Sequence, residues 1–178
     1  MRVRLKPRRE AGQNIEIMGV SSDQREHRKE SQCLAFVPIM VNTHHRSPPE
    51  SAHPSDAERK ILGPCHDLPK LQAMLRVKKH KGVHIATENA SRELGQYCMD
   101  EVDLVDIVLD LKSGNYHDSE WCKFSALSPW FAADTYRIRK AEKLPGEKDI
   151  CYLNYYLKFS VNKLGSMLLF FSVHRDIL

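Results

Sequence analysis

The chain has no long apolar run. A bilayer span needs roughly 20 consecutive apolar residues, and the longest candidate near the N-terminus, Cys33 to Met40, is shorter and contains Pro38. The basic start (Arg2, Arg4, Lys6, Arg8, Arg9) has no adjacent apolar core and so is not a secretory signal. Paired cysteine motifs are missing too. Cys33, Cys65, Cys98, Cys122 and Cys151 are odd in number and lack CxxC spacing, which argues against a disulfide framework or a zinc ribbon. A metal cluster on Cys65-His66 would need a distant partner and is not expected. Nor is there a strong charge of one sign: a formal +4 and pI near 8.8 permit a polyanionic partner without requiring one. These absences predict a cytoplasmic protein with reduced thiols, no membrane association, and no metal or cofactor.

The 178 residues suit one domain with or without a tail. Residues 1–65 read as a low-order extension or linker. They lack sustained periodicity, and His44 to Pro54 is rich in Pro, Ser and His. They hold 11 Lys and Arg against 8 Asp and Glu, so most of the basic excess sits there. A nucleic-acid-binding arm fits that surplus, but the composition favours a poorly ordered tail.

Residues 66–178 carry the folded pattern. Asp67 and Pro69 open a helix with Leu68, Leu71 and Leu75 at helical spacing, ended by Lys78-Lys-His-Lys-Gly82. Thr87 caps a second helix that stops at Gly95. Asp100 caps a third, with Val102, Val105, Val108 and Leu109 on one face and Asp103, Asp106 and Asp110 on the other. Then the period changes to two. Asp134 to Arg139 alternates as a strand, and after a loop with Pro145-Gly146 so does Cys151 to Val161, placing Leu153, Tyr155, Leu157, Phe159 and Val161 on one face. In the last run Met167, Leu169, Phe171 and Val173 are expected on the core side, with Ser172 and His174 opposite. Helices first and antiparallel strands last predict an α+β domain. A three-residue loop Lys163-Leu-Gly165 would pair residues summing to 328, setting Tyr156 against Ser172 and diagonal to His174. The final hairpin thus buries one face and offers Tyr, Lys, Ser and His on the other.

The order of these segments resembles the MqsR family of toxins, the ribonuclease halves of bacterial toxin–antitoxin pairs. The matching pieces are Ala90-Ser-Arg-Glu-Leu-Gly95, the helix from Asp100 to Leu111, Asn115-Tyr-His-Asp118, Asp134-Thr-Tyr-Arg137, Tyr156-Leu-Lys158 and Ser172-Val-His174. The resemblance spans Asp67 to Arg175. It implies a RelE-like fold, mRNA cleavage at short sequences without metal, and silencing by a cognate antitoxin protein. Tyr156 keeps the family's central-strand Tyr. His117 stands where the family has a catalytic Lys, Ala133 where it has Gln, and His174 where it has the Lys of the last strand.

Metal-free RNA cleavage needs a base for the 2′-hydroxyl, an acid for the 5′-oxygen and cations for the phosphate. Histidine suits the first two because its ordinary pKa lies near neutrality. His117 and His174 are therefore the expected base and acid, in either order. Tyr156 is expected to position the 2′-hydroxyl, Lys158, Arg137 and Arg139 to hold phosphate, and Tyr116 and Trp121 to stack on bases. The competing reading is a non-enzymatic α+β protein- or RNA-binding module with the same fold. In it, Arg137 and Arg139 would pair with the acidic helix and the tryptophans would be core residues.

Overall fold

The computed structural model describes residues 47–51, 53–143, 146 and 148–177. The N-terminal part of the expected tail, up to residue 46, lies outside them. The helices begin where local capping chemistry sets them. Asp67 accepts from the Lys70 N–H before α2 (Leu68–Lys78), Thr87 from Ala90 before α3 (Glu88–Gln96), and Asp100 from Val102 and Asp103 before α4 (Glu101–Asp110). A further single turn, α1 (Asp56–Arg59), is closed by a Ser55–Glu58 capping box. The chain leaves α2 with Lys79, not a glycine, at positive φ (53°). Gly82 is needed for close approach instead, since a Cβ there would meet Leu75 Cδ2 and Lys78 Cβ at 3.1 Å.

Among the described residues six strands form one sheet: β1 (Lys60–Ile61), β2 (Val83–Ile85), β3 (Tyr116–Cys122), β4 (Phe131–Glu142), β5 (Cys151–Val161) and β6 (Leu168–Ile177), in the order β1-β3-β4-β5-β6-β2. The molecule is α+β as expected, but the sheet is mixed: β2 runs parallel to β6. Lys60 and Ile61 pair with Glu120 and Ser119, so sheet pairing starts upstream of His66. Leu68, Leu71 and Leu75 of α2, Leu94 of α3 and Leu104, Val105, Ile107 and Val108 of α4 pack in one core with Tyr136, Leu153, Tyr155, Leu157, Phe159, Leu168, Phe170 and Val173. On α4 the buried stripe is thus centred on Leu104–Val108, and Val102, expected inside, is 51 % exposed.

The terminal hairpin departs from the expected register in two steps. Asn162 N–H bonds to Met167 C=O, so the turn holds four residues, Lys163–Ser166, with Gly165 at φ 62°. Partners near the turn, such as Phe159 and Phe170, therefore sum to 329. A bulge at Phe171 then adds one more residue, and Tyr156 faces His174 directly. The bulge also switches faces: Leu168, Phe170 and Val173 enter the helix-side core, whereas Leu169 and Phe171 join Cys122 and Ala133 on the opposite face. Met167, expected in the main core, packs against that second cluster.

Candidate functional site

The face turned away from the helices is apolar at one end and polar at the other. In register across β4, β5 and β6, Thr135, Lys158 and Ser172 form one row, Arg137, Tyr156 and His174 the next, and Arg139 and Asn154 the one beyond. A groove of about 690 Å³ lies over this end, lined by Tyr97, Arg137, Arg139, Asn154, Tyr156 and His174 among others. Arg137 and Arg139 are exposed and make no ion pair among the described residues; the acidic helix α4 instead meets Lys140, whose Nζ is 2.6 Å from Asp110. Arg137 lies 5.7 Å from the centroid of the Tyr156 ring, which stands 5.4 Å from the His174 ring.

His174 is held at both nitrogens. Nδ1 is 2.7 Å from Glu93 Oε1, and Nε2 is 2.8 Å from Ser172 Oγ. With the carboxylate ionised, Nδ1 carries the donated proton and the Nε2 lone pair accepts from the Ser172 hydroxyl. The helix supplying Glu93 is placed by the sheet edge. Beyond Phe170 strand β6 has no outer strand among the described residues, and α3 takes its place. Thr87 Oγ1 donates to Phe171 C=O at 2.8 Å, and Glu93 Oε2 accepts from Val173 N–H at 3.2 Å. Sequence alone does not single out Glu93: it lies within Ala90–Gly95, and nothing local distinguishes it from any other helix-face glutamate.

The other expected site residues are dispersed. His117 is not in a loop but on β3, at a bulge between Tyr116 and Asp118, exposed to solvent. Three strand spacings separate β3 from β6, roughly 14 Å at about 4.8 Å each, so His117 and His174 do not flank one phosphate. Tyr116 is on the helix side, its hydroxyl 2.9 Å from Ser119 Oγ and its ring edge-on to Tyr136. Trp121 is 7 % exposed and packs with Ile61, Cys65 and Ala132, so its ring offers no face for a base. Lys158 does stand beside Tyr156, but its Nζ is 2.5 Å from Glu120. Burial alone would lower the Lys158 ammonium, but the Glu120 carboxylate outweighs it and raises it. This charge is already neutralised within the sheet.

A second polar cluster is structural. Asp134, fully buried, accepts from Cys65 N–H (2.8 Å), His66 N–H (2.9 Å) and Ser119 Oγ (2.6 Å), and meets His66 Nδ1 at 3.0 Å. Burial pushes its pKa up, but these hydrogen bonds and the His66 charge prevail and hold it below the usual aspartate value. The cluster ties the segment before α2 to β3 and β4. It also explains why Cys65-His66 is inward: both backbone amides are ligands of a carboxylate.

Among the described residues no helix is long and apolar enough to cross a membrane. Compared with protein-family models, curated proteins and solved structures, the chain matches none.

Proposed function

We propose that the protein is a cytoplasmic endoribonuclease of the MqsR and RelE toxin type, held inactive by a cognate antitoxin protein, with Glu93, His174, Tyr156, Arg137 and Arg139 as its working residues. The carrying observation is the row Arg137–Tyr156–His174 with Glu93 on Nδ1. His174 Nε2 takes the proton of a ribose 2′-hydroxyl, which displaces the Ser172 hydroxyl. The 2′-oxygen forms a bond to phosphorus while the bond from phosphorus to the 5′-oxygen breaks, and Tyr156 gives that oxygen its proton. The products are a 2′,3′-cyclic phosphate and a 5′-hydroxyl. Arg137, in the row of Tyr156 and His174, holds the phosphate, whose charge grows in the transition state, and Arg139, one row beyond, meets the neighbouring phosphate of the strand. Glu93 keeps the imidazole in the tautomer that leaves Nε2 free as the base.

Support comes from the motif order together with this geometry. The test is incubation of purified protein with a defined RNA and with the same RNA carrying 2′-deoxy nucleotides. Cleavage of the first only, lost in His174→Ala, is expected. An RNA left intact across pH, with and without ribosomes, overturns the catalytic reading. It would favour the second reading, a binding module without activity, which draws on the occupied His174 nitrogens and the Glu120-neutralised Lys158.

A further inference from the structure

Tyr152 lies outside the groove residues just described, yet it is on the same face of β5, four residues from Tyr156 with no bulge between them. It is a large aromatic side chain that the fold leaves 50 % exposed. Arg139 Cζ sits 4.4 Å from its ring centroid, so an Arg–Tyr pair recurs here beside the Arg137–Tyr156 pair. Burial does not account for this ring, since it adds nothing to the core. Its Arg139 partner covers one part of it and carries a charge unpaired among the described residues.

We infer that Tyr152 and Arg139 form a nucleotide subsite, stacking one base of a single-stranded RNA whose scissile phosphate lies at Tyr156 and His174; this rests on the reading proposed above. Aromatic rings flanked by guanidinium groups suit single strands because every base has a π-face and every linkage a negative charge. Four residues along a strand place the two tyrosines about 13 Å apart, several times the roughly 3.4 Å rise per base of a stacked strand. With the scissile phosphate at Tyr156, a base that lies on the Tyr152 ring must present an open face to it and so is unstacked on that side. A duplex, whose bases are paired and stacked, does not present them so. Asn154, midway between the rings on the same face, is placed to meet the edge of a base between them.

Binding is measured by fluorescence anisotropy with a labelled 2′-O-methyl oligoribonucleotide, which has no free 2′-hydroxyl and reports affinity without cleavage. Tyr152→Ala and Tyr152→Leu are expected to weaken binding about tenfold or more, as loss of one stacked base does, and Tyr152→Phe to retain it. The same oligonucleotide annealed to its complement is expected to bind more weakly. If Tyr152→Ala and Tyr152→Leu bind like the wild type while Arg137→Ala weakens binding, the subsite is wrong and the proposed function stands. Equal affinity for duplex and single strand also overturns the subsite. If the wild type binds neither form, both the subsite and the RNA reading fall.

Discussion

Glu93 Oε1 lies 2.7 Å from His174 Nδ1 while Glu93 Oε2 takes the Val173 N–H, so one carboxylate closes the edge of β6 and orients the ring beside it. The two residues are 81 positions apart, and only the docking of α3 along β6 brings them together. That double use leads to separable effects. Glu93→Gln keeps an acceptor for Val173 but loses the charge that opposes the imidazolium. RNA cleavage by Glu93→Gln is expected to lose about 100-fold in kcat, the low end of general acid–base contributions, with KM little changed. Glu93→Ala is expected to cost stability as well, about 1 kcal/mol for the lost Val173 bond. Steady-state kinetics and urea unfolding check the pair, and a KM effect without a kcat effect would remove Glu93 from the positioning of His174.

Arg137 and Tyr156 face each other across β4 and β5 but serve different steps. Arg137→Ala is expected to raise KM and reduce the salt dependence of binding, because a phosphate contact is lost, and to lower kcat as well, because that phosphate's charge grows in the transition state. Tyr156→Phe keeps the ring against His174 and removes only the hydroxyl, so kcat is expected to fall about 100-fold. A titration of RNA binding at several salt concentrations, run beside single-turnover cleavage, separates the two.

Asp134 makes stability depend on acid. Its folded pKa is lowered from the ordinary 3.8, so its contribution is fully present above that value and is lost as pH falls through the folded pKa. Asp134→Asn retains the size but gives up the charge and one acceptor, and is expected to destabilise by about 3 kcal/mol, as breaking a buried charge network does. Urea midpoints measured from neutral pH down to about pH 2 should converge for the two proteins at the acid end. Parallel curves would show that Asp134 is not the titrating group.

Lys158 and Glu120 form a pair across the sheet with side chains only 18 % and 10 % exposed. Lys158→Met is expected to destabilise by about 2–3 kcal/mol because Glu120 is left largely buried, with only the more distant charges of Arg59, 3.7 Å away, and its cross-strand neighbour Lys60 to offset it. Adding Glu120→Gln should recover much of that loss. A double-mutant cycle by thermal unfolding measures it, and additive losses would mean that the ions do not interact.

Thiol reactivity should divide the cysteines by depth. Burial pushes Cys65 and Cys122 up to about 12, so neither supplies thiolate near neutral pH, whereas Cys98 is exposed. Iodoacetamide followed by peptide mass spectrometry should label Cys98 and leave Cys65 and Cys122 intact until the protein unfolds. Fast labelling of Cys65 in native protein would contradict the Asp134 cluster that buries it.

What the sequence determined by itself was local. Asp67, Thr87 and Asp100 mark helix starts because capping is a bond to an amide two or three residues away, and the alternation from Cys151 to Val161 marks a strand because its own period shows which face is buried. From the same information come the α+β class and the placing of Tyr156 and Lys158 on one side of the terminal hairpin. Tertiary structure decided the rest. Strands β1 and β2, of two and three residues, are too short to carry a period and exist because β3 and β6 complete their hydrogen bonds. Strand β3 reads Tyr-His-Asp-Ser-Glu-Trp-Cys, with Ser119 and Glu120 buried through partners on other segments, so hydropathy hid it. An extra turn residue and the Phe171 bulge each shift the register by one, and together they bring His174 opposite Tyr156. The sheet then separates Tyr116 and Trp121 from the groove, strand order removes His117 from it, and α3 delivers Glu93 to its rim. Such placements are sums over long-range pairings, and no stretch of chain contains them.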